Sequence, residues 1–161
     1  NFGIIGNCKS AALINEDSSI DWFCLPQFDS PSVFGKILDE NIGGQFKISC
    51  DENYGISQFY IENTGILCTR FSNGDDAFEV IDYMPRYKKD DNVHYAPPEI
   101  TRVLKHLKGA PKYDYIYCCS SHTPRDTITP LVHYNGGCYL RGAPKHLSRA
   151  EVILEHGRIK L

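Results

Sequence analysis

Apolar and polar positions follow one another in short, strand-length runs separated by turn residues over nearly the whole chain. Runs of this kind, rich in Ile, Val, Phe, Tyr and Thr, predict an all-β fold built as a sandwich or barrel. Strands are expected at Phe2 to Cys8, Ala11 to Ile14, Ile20 to Cys24, Gly44 to Ser49, Gln58 to Ile61, Ile66 to Ser72, Ala77 to Tyr83 and Tyr113 to Cys119. Asn15-Glu16-Asp17-Ser18 is a turn of side chains that bond their own backbone. Asn73-Gly74 offers the positive φ of a hairpin between Ile66 to Ser72 and Ala77 to Tyr83. In the second of these strands Phe78, Val80 and Asp82 share one face, and Glu79, Ile81 and Tyr83 the other. Apolar groups on both faces predict an inner strand buried on two sides.

Two further turns are marked by Asn135-Gly136-Gly137 and His156-Gly157, the latter joining Val152-Ile153-Leu154 to Ile159-Lys160-Leu161 in a hairpin. Residues 31–40 depart from the strand period. There Val33, Phe34, Ile37 and Leu38 fall at helical spacing, Asp29 or Ser30 supplies an N-cap, and Pro31 takes the first helical position. One short helix is expected near 31–40. Lys88 to Pro98, charged and bounded by proline, is expected as an exposed loop.

Length narrows this to one domain, residues 1–161, with enough chain for a real core. The net charge of −3, with acids and bases mixed, leaves no basic footprint for nucleic acid and no polybasic segment for a membrane. No apolar stretch approaches the roughly 20 residues of a membrane-spanning helix. Asn1-Phe2-Gly3 opens no signal-peptide pattern. The seven cysteines are odd in number, scattered and set in apolar runs. That pattern fits buried, reduced thiols and a cytoplasmic protein better than a disulfide framework.

Candidate chemistry is sparse. Cys118, Cys119, His122, His133 and Cys138 lack the paired Cys-x-x-Cys spacing of a structural zinc site, so no metal is expected. Ser120, His122 and Asp126 have the residue types of a nucleophilic triad without the Gly-x-Ser-x-Gly elbow. Gly3-Ile4-Ile5-Gly6 leads into strand-like sequence, so it is no phosphate loop, and no cofactor is implied. Asp75-Asp76 and Asp90-Asp91 sit in turns, where solvated charge is the ordinary state. The run from Asp21 to Phe34 is denser. Trp22, Phe23, Phe28 and Phe34 concentrate aromatic area, and Pro26 and Pro31 stiffen the path between them. A core Trp beside a capped helix accounts for it structurally. An aromatic and carboxylate platform for a sugar accounts for it functionally, and Trp22, Phe28 and Asp29 are then the substrate-binding candidates.

The run Gly6-Asn7-Cys8-Lys9-Ser10-Ala11-Ala12-Leu13, followed by Ser19 to Phe34, resembles the N-terminal domain of prokaryotic glucoamylase- and trehalase-like enzymes of glycoside hydrolase family 15. Gly43-Gly44-Gln45-Phe46, Leu67-Cys68-Thr69-Arg70-Phe71, Val80-Ile81-Asp82-Tyr83-Met84-Pro85 and Pro98-Glu99-Ile100-Thr101-Arg102 resemble later blocks, so the likeness covers about residues 1–117. Asn7 stands where the family is usually acidic, and Ser18 where it usually has Gly. The resemblance implies a supersandwich-like antiparallel β-sandwich followed by a catalytic (α/α)6 barrel that inverts α-glucosidic bonds with two glutamates. Twelve helices of about 11 residues with loops of about 5 need roughly 190 residues, and this chain reads as strands. No catalytic residue is therefore assigned here. The chain is expected to be a non-catalytic domain that packs on the barrel and frames its active site for an α-glucoside or oligosaccharide. An independent carbohydrate-binding module is the alternative, and a stand-alone regulatory or metal-binding β protein the third.

Overall fold

The computed structural model describes residues 1–89 and 93–118, together with the strands at 132–134, 137–139, 153–155 and 158–160. The elements in chain order are β1 (Phe2–Gly6), β2 (Ala11–Asn15), β3 (Ile20–Cys24), β4 (Ser32–Phe34), β5 (Gln45–Ser49), β6 (Gly55–Tyr60), β7 (Leu67–Ser72) and β8 (Ala77–Tyr83). They continue with β9 (Tyr87–Lys88), β10 (His94–Tyr95), β11 (Thr101–Lys108), β12 (Asp114–Cys118), β13 (Val132–Tyr134), β14 (Gly137–Tyr139), β15 (Ile153–Glu155) and β16 (Arg158–Lys160). No helix occurs among the described residues.

Two six-stranded sheets form a sandwich. The first runs β1-β2-β3-β5-β12, with β4 paired to β3, and the second runs β15-β16-β11-β8-β7-β6. Every pairing is antiparallel. The inner faces meet in one core. Ile5, Ala12, Ile14, Ile20, Phe23, Phe34, Phe46 and Ile48 come from the first sheet, and Leu67, Phe71, Phe78 and Val80 from the second. Phe71 and Phe78, directly paired across β7 and β8, stack with centroids 4.7 Å apart.

A β-bulge shapes the middle of the first sheet. Ile14 pairs with Ile20, yet Leu13 pairs with Trp22, so Asp21 is an extra residue in β3. The extra residue lets both Ile20 and Phe23 face the core, although strict alternation would separate them. Trp22 consequently points outward with its partner Leu13.

The two sheets are joined through a buried guanidinium. Arg102 of β11 holds Asp82 of β8 in a bidentate pair, Nε to Oδ1 at 2.6 Å and Nη2 to Oδ2 at 3.0 Å. It also donates to the carbonyls of Phe46 (3.0 Å) and Ser18 (2.6 Å) in the first sheet and its β2–β3 turn. Its plane lies over the Phe46 ring, 4.8 Å from the centroid. Both charged partners are wholly buried. Burial pushes the Asp82 carboxyl up, and the guanidinium pulls against it.

The expected helix near 31–40 is not there. Ser32–Phe34 is strand β4, with Phe34 opposite Phe23 and their rings stacked. Val33 and Phe34, β-branched and aromatic, are both buried in the core, where a strand position suits them. The chain then makes two successive turns, closed by Asp39 N–H to the Gly35 carbonyl at 3.2 Å and Gly43 N–H to the Asp39 carbonyl at 2.8 Å, and Gly35 N–H returns to the Gly43 carbonyl at 2.6 Å. The Asp39 side chain accepts from the N–H groups of Asn41 and Ile42, a local alternative to helix propagation. Ile37 and Leu38, the supposed apolar stripe, are exposed. Ser30 caps no helix: its Oγ accepts from Gln27 N–H. Lys88 to Pro98 also differs from the expected loop, because Tyr87–Lys88 and His94–Tyr95 pair as a short ribbon. The strand pairs β13–β14 and β15–β16 flank the two late turn signals. Cys119, the serines and His122, and the turn at 135–136 lie outside the described residues.

Candidate functional site

Two regions of the first sheet hold the candidate residues. The bulge turns Trp22 onto the outer face, where Ile4, Leu13 and Trp22 form one in-register row across β1, β2 and β3. Ile4 is 57% exposed, and Phe2, on the same face, 47%. Leu13 and Trp22 are half-buried. Ile4 and Leu13 escaped notice in the sequence, since pairing partners follow from register.

Beside that row lies a closed polar network. Buried Ser19 donates its hydroxyl proton to Asp21 Oδ1 (2.5 Å), with Gln45 Oε1 3.0 Å from the same oxygen, Asn15 Nδ2 donates to Asp21 Oδ2 (3.1 Å), and Lys36 Nζ donates to Gln45 Oε1 (2.7 Å). Asn15 also closes the β2–β3 turn. Its Oδ1 accepts from Asp17 and Ser19 N–H, while Ser18 sits in the left-handed region at φ 66°.

Phe28 and Asp29 lie instead on the loop between β3 and β4, both exposed. The Phe28 N–H bonds the Lys9 carbonyl at 3.2 Å, and Ser10 Oγ donates to the Cys24 carbonyl at 2.5 Å, so this loop is stitched to the β1–β2 turn. Asn7 anchors the same end. Its Nδ2 donates to the Pro97 carbonyl at 2.8 Å, and its Oδ1 accepts from Lys9 and Ser10 N–H. The amide donates and accepts at once, which a carboxylate cannot do. Arg86 Nη1 approaches Cys8 Sγ at 3.0 Å, and exposed Tyr87 and Tyr95 meet edge to face at 5.4 Å. This end therefore presents aromatic rings and charges on short loops pinned by a buried amide. Trp22 belongs to the sheet's outer face and does not sit in that loop.

The outer face of the second sheet differs in chemistry. Phe59, Cys68, Ile81 and Val103 form an in-register apolar row. Next to it, Arg70, Glu79 and Lys105 form a charged row. Arg70 donates to Glu79 Oε1 from Nε (2.9 Å) and Nη2 (2.5 Å), and Lys105 lies 3.5 Å from Oε2. The Arg70 guanidinium reaches back over the Phe59 ring, 5.5 Å from its centroid. Burial alone would raise the Glu79 carboxyl, but the hydrogen bond and charge of Arg70 win and hold it below the ordinary range. Burial first, and then the Glu79 charge, push the Cys68 thiol up to about 11. Among the described residues, no group of three or more His, Cys, Asp or Glu side chains is placed to hold a metal.

Comparison with known proteins places this fold. The family described as "Trehalase-like, N-terminal" matches residues 1–116. Trehalase of Thermoplasma volcanium is 43% identical over 86 residues, 52% of this chain and 14% of that protein. Trehalase 2 of Sulfolobus acidocaldarius is 42% identical over 85 residues, 53% of this chain and 14% of that protein. Trehalase of Mycolicibacterium smegmatis is 41% identical over 56 residues, 35% of this chain and 8% of that protein. The matched segment thus spans about one seventh of the two archaeal relatives or less of the mycobacterial one. No solved structure matches. With the family covering more than two thirds of its length, this chain belongs to the trehalase-like N-terminal domains.

Proposed function

We propose that this chain is the non-catalytic N-terminal β-sandwich of a cytoplasmic trehalase-like glycoside hydrolase that inverts α-glucosidic bonds. It packs on the catalytic (α/α)6 barrel, and its β3–β4 loop frames the active-site mouth. The observation that carries this reading is the family match over residues 1–116 to a small N-terminal share of much longer trehalases. The pinned loop that displays Phe28 and Asp29 supports the framing role: an aromatic face suits the C–H face of a pyranose, and a carboxylate accepts from its hydroxyls. The free thiols of Cys8, Cys24, Cys50 and Cys68 suit a reducing compartment.

The test is made in the full-length enzyme. Asp29→Ala and Phe28→Ala are expected to raise KM for trehalose several-fold, and the 161-residue chain alone to release no glucose. Unchanged kcat and KM in both variants would remove the framing role.

A second reading, an independent carbohydrate-binding module, is favoured by one observation. Tyr87 and Tyr95 are exposed rings held at a fixed angle, as a sugar-stacking surface requires. Calorimetric titration of the chain with trehalose and maltose separates the two readings. Saturable heat lost in Tyr87→Ala supports the module, and its absence supports the supporting domain.

A further inference from the structure

We propose that the outer face of the first sheet, built on Phe2, Ile4, Leu13 and Trp22, is the surface on which the helical remainder of the trehalase chain docks. This rests on the reading of the chain as a supporting domain and adds which side of the sandwich meets the barrel.

Continuity is the first argument. Ile4, Leu13 and Trp22 are directly opposed across three strands, and Phe2 extends the row along β1. Side chains paired in this way form one contiguous strip, not scattered apolar residues. Leu38, 77% exposed, and Ile37 lie on the turn whose Ile37 N–H bonds the Asp21 carbonyl, so further apolar surface flanks β3.

Lack of cover is the second. The strip is open at its β1 end, where Phe2 is 47% and Ile4 57% exposed, while Leu13 and Trp22 are half-buried. The second sheet has the same kind of row, but Arg70 reaches over it and is locked there by Glu79.

Readiness for dehydration is the third. The polar groups beside the strip are already paired among Asn15, Ser19, Asp21, Gln45 and Lys36, so a partner can exclude water without stranding them. The free edge of β1 is engaged as well. Tyr60 Oη accepts from Ile4 N–H at 2.7 Å and donates to its carbonyl at 2.9 Å. Docking by strand addition is therefore blocked at that point, and side-chain packing on the face remains.

The occupant follows from length. About six sevenths of each archaeal relative lies outside the matched segment. The apolar ridge of a helix fits a flat strip three strands wide, and the helices of the catalytic barrel are the proposed partner.

Carbene photolabelling of the full-length enzyme tests this within one molecule. On exposure in the sandwich alone, Ile4 would label at least as strongly as Phe59. Docking on the first face is expected to cut labelling at Ile4 and Trp22 several-fold below that at Phe59. In the Ile4→Lys full-length variant, labelling at Trp22 is expected to rise and limited proteolysis to release the N-terminal domain, while Phe59→Lys does neither. Protection of Phe59 with Ile4 and Trp22 labelled overturns this face and leaves domain packing standing. Full labelling at both faces overturns the packing itself.

Discussion

On the outside of the first sheet, Ile4, Leu13 and Trp22 line up across three strands with Gly6 and Ala11 beside them. On the outside of the second, Phe59, Cys68 and Ile81 line up in the same way with Arg70, Glu79 and Lys105 beside them. The apolar rows are alike, and the adjacent rows decide what each becomes. Long charged side chains lie over their apolar neighbours while their heads remain solvated, so the second row is finished as ordinary surface. Glycine and alanine have no such reach, and the first row stays open at Ile4. Whether a sheet face is a wall or a contact surface thus depends on residues two positions away from the apolar ones.

The largest expected effect tests whether the two faces belong to one cooperative unit. Arg102→Ala removes the cation shared by Asp82 and two carbonyls of the opposite sheet, leaving a buried carboxylate without its partner. It is expected to cost about 3–5 kcal/mol in urea unfolding, with both sheets lost in one transition. Separate transitions would mean that the faces must be treated as independent bodies.

The roof over the second face is tested by thiol chemistry. With its pKa near 11, Cys68 is expected to react with a disulfide reagent at pH 8 about two orders of magnitude more slowly than an ordinary thiol, from thiolate fraction alone. Exposed Cys8 serves as the comparison. Equal rates at the two cysteines would break the distinction between covered and open faces.

The ion cluster itself is expected to contribute less, because Arg70 is half-exposed. Glu79→Gln is expected to cost about 0.5–1 kcal/mol near neutral pH. Since the folded carboxyl lies below its ordinary range, that contribution is present above the usual glutamate pKa and disappears as pH falls through the lowered value. The stability difference between wild type and variant, measured from pH 7 down to pH 3, should therefore close on acidification.

Ile4→Lys is expected to have the smallest effect on the isolated chain, within about 0.5 kcal/mol, because its side chain already meets water. A large loss of stability there would mean that Ile4 belongs to the fold and is not an open surface.

Where local chemistry decides, the sequence and the structure agree. Ile20–Cys24 and Ala77–Tyr83 are strands with the expected ends, and β8 is an inner strand between β7 and β11. The Asn73-Gly74 hairpin is present, although only Gly74 takes positive φ and Asn73 closes the loop through its side chain to Asp75 and Asp76 N–H. What was hidden depends on partners distant in the chain. The bulge at Asp21 exists only relative to β2, and without it Trp22 cannot be assigned to the outer face. Helical spacing in Val33, Phe34, Ile37 and Leu38 was overridden because Phe34 had Phe23 to pair with. Asp82 shares a strand face with Phe78 and Val80 in the sequence, but only the pairing of β8 with β11 names Arg102 as its partner. Of the candidate site, the exposed loop bearing Phe28 and Asp29 was legible as a loop, and its attachment through Lys9, Ser10 and Asn7 was not.

The single bulged residue in β3 has an optical consequence. It places the chain's only tryptophan outside the core, so the protein carries one indole chromophore, and that chromophore faces a sheet exterior. Intrinsic emission from this domain therefore monitors the wetness of one surface more than the integrity of the interior. A blue shift signals that something has come to rest there, even when the fold beneath has not changed at all.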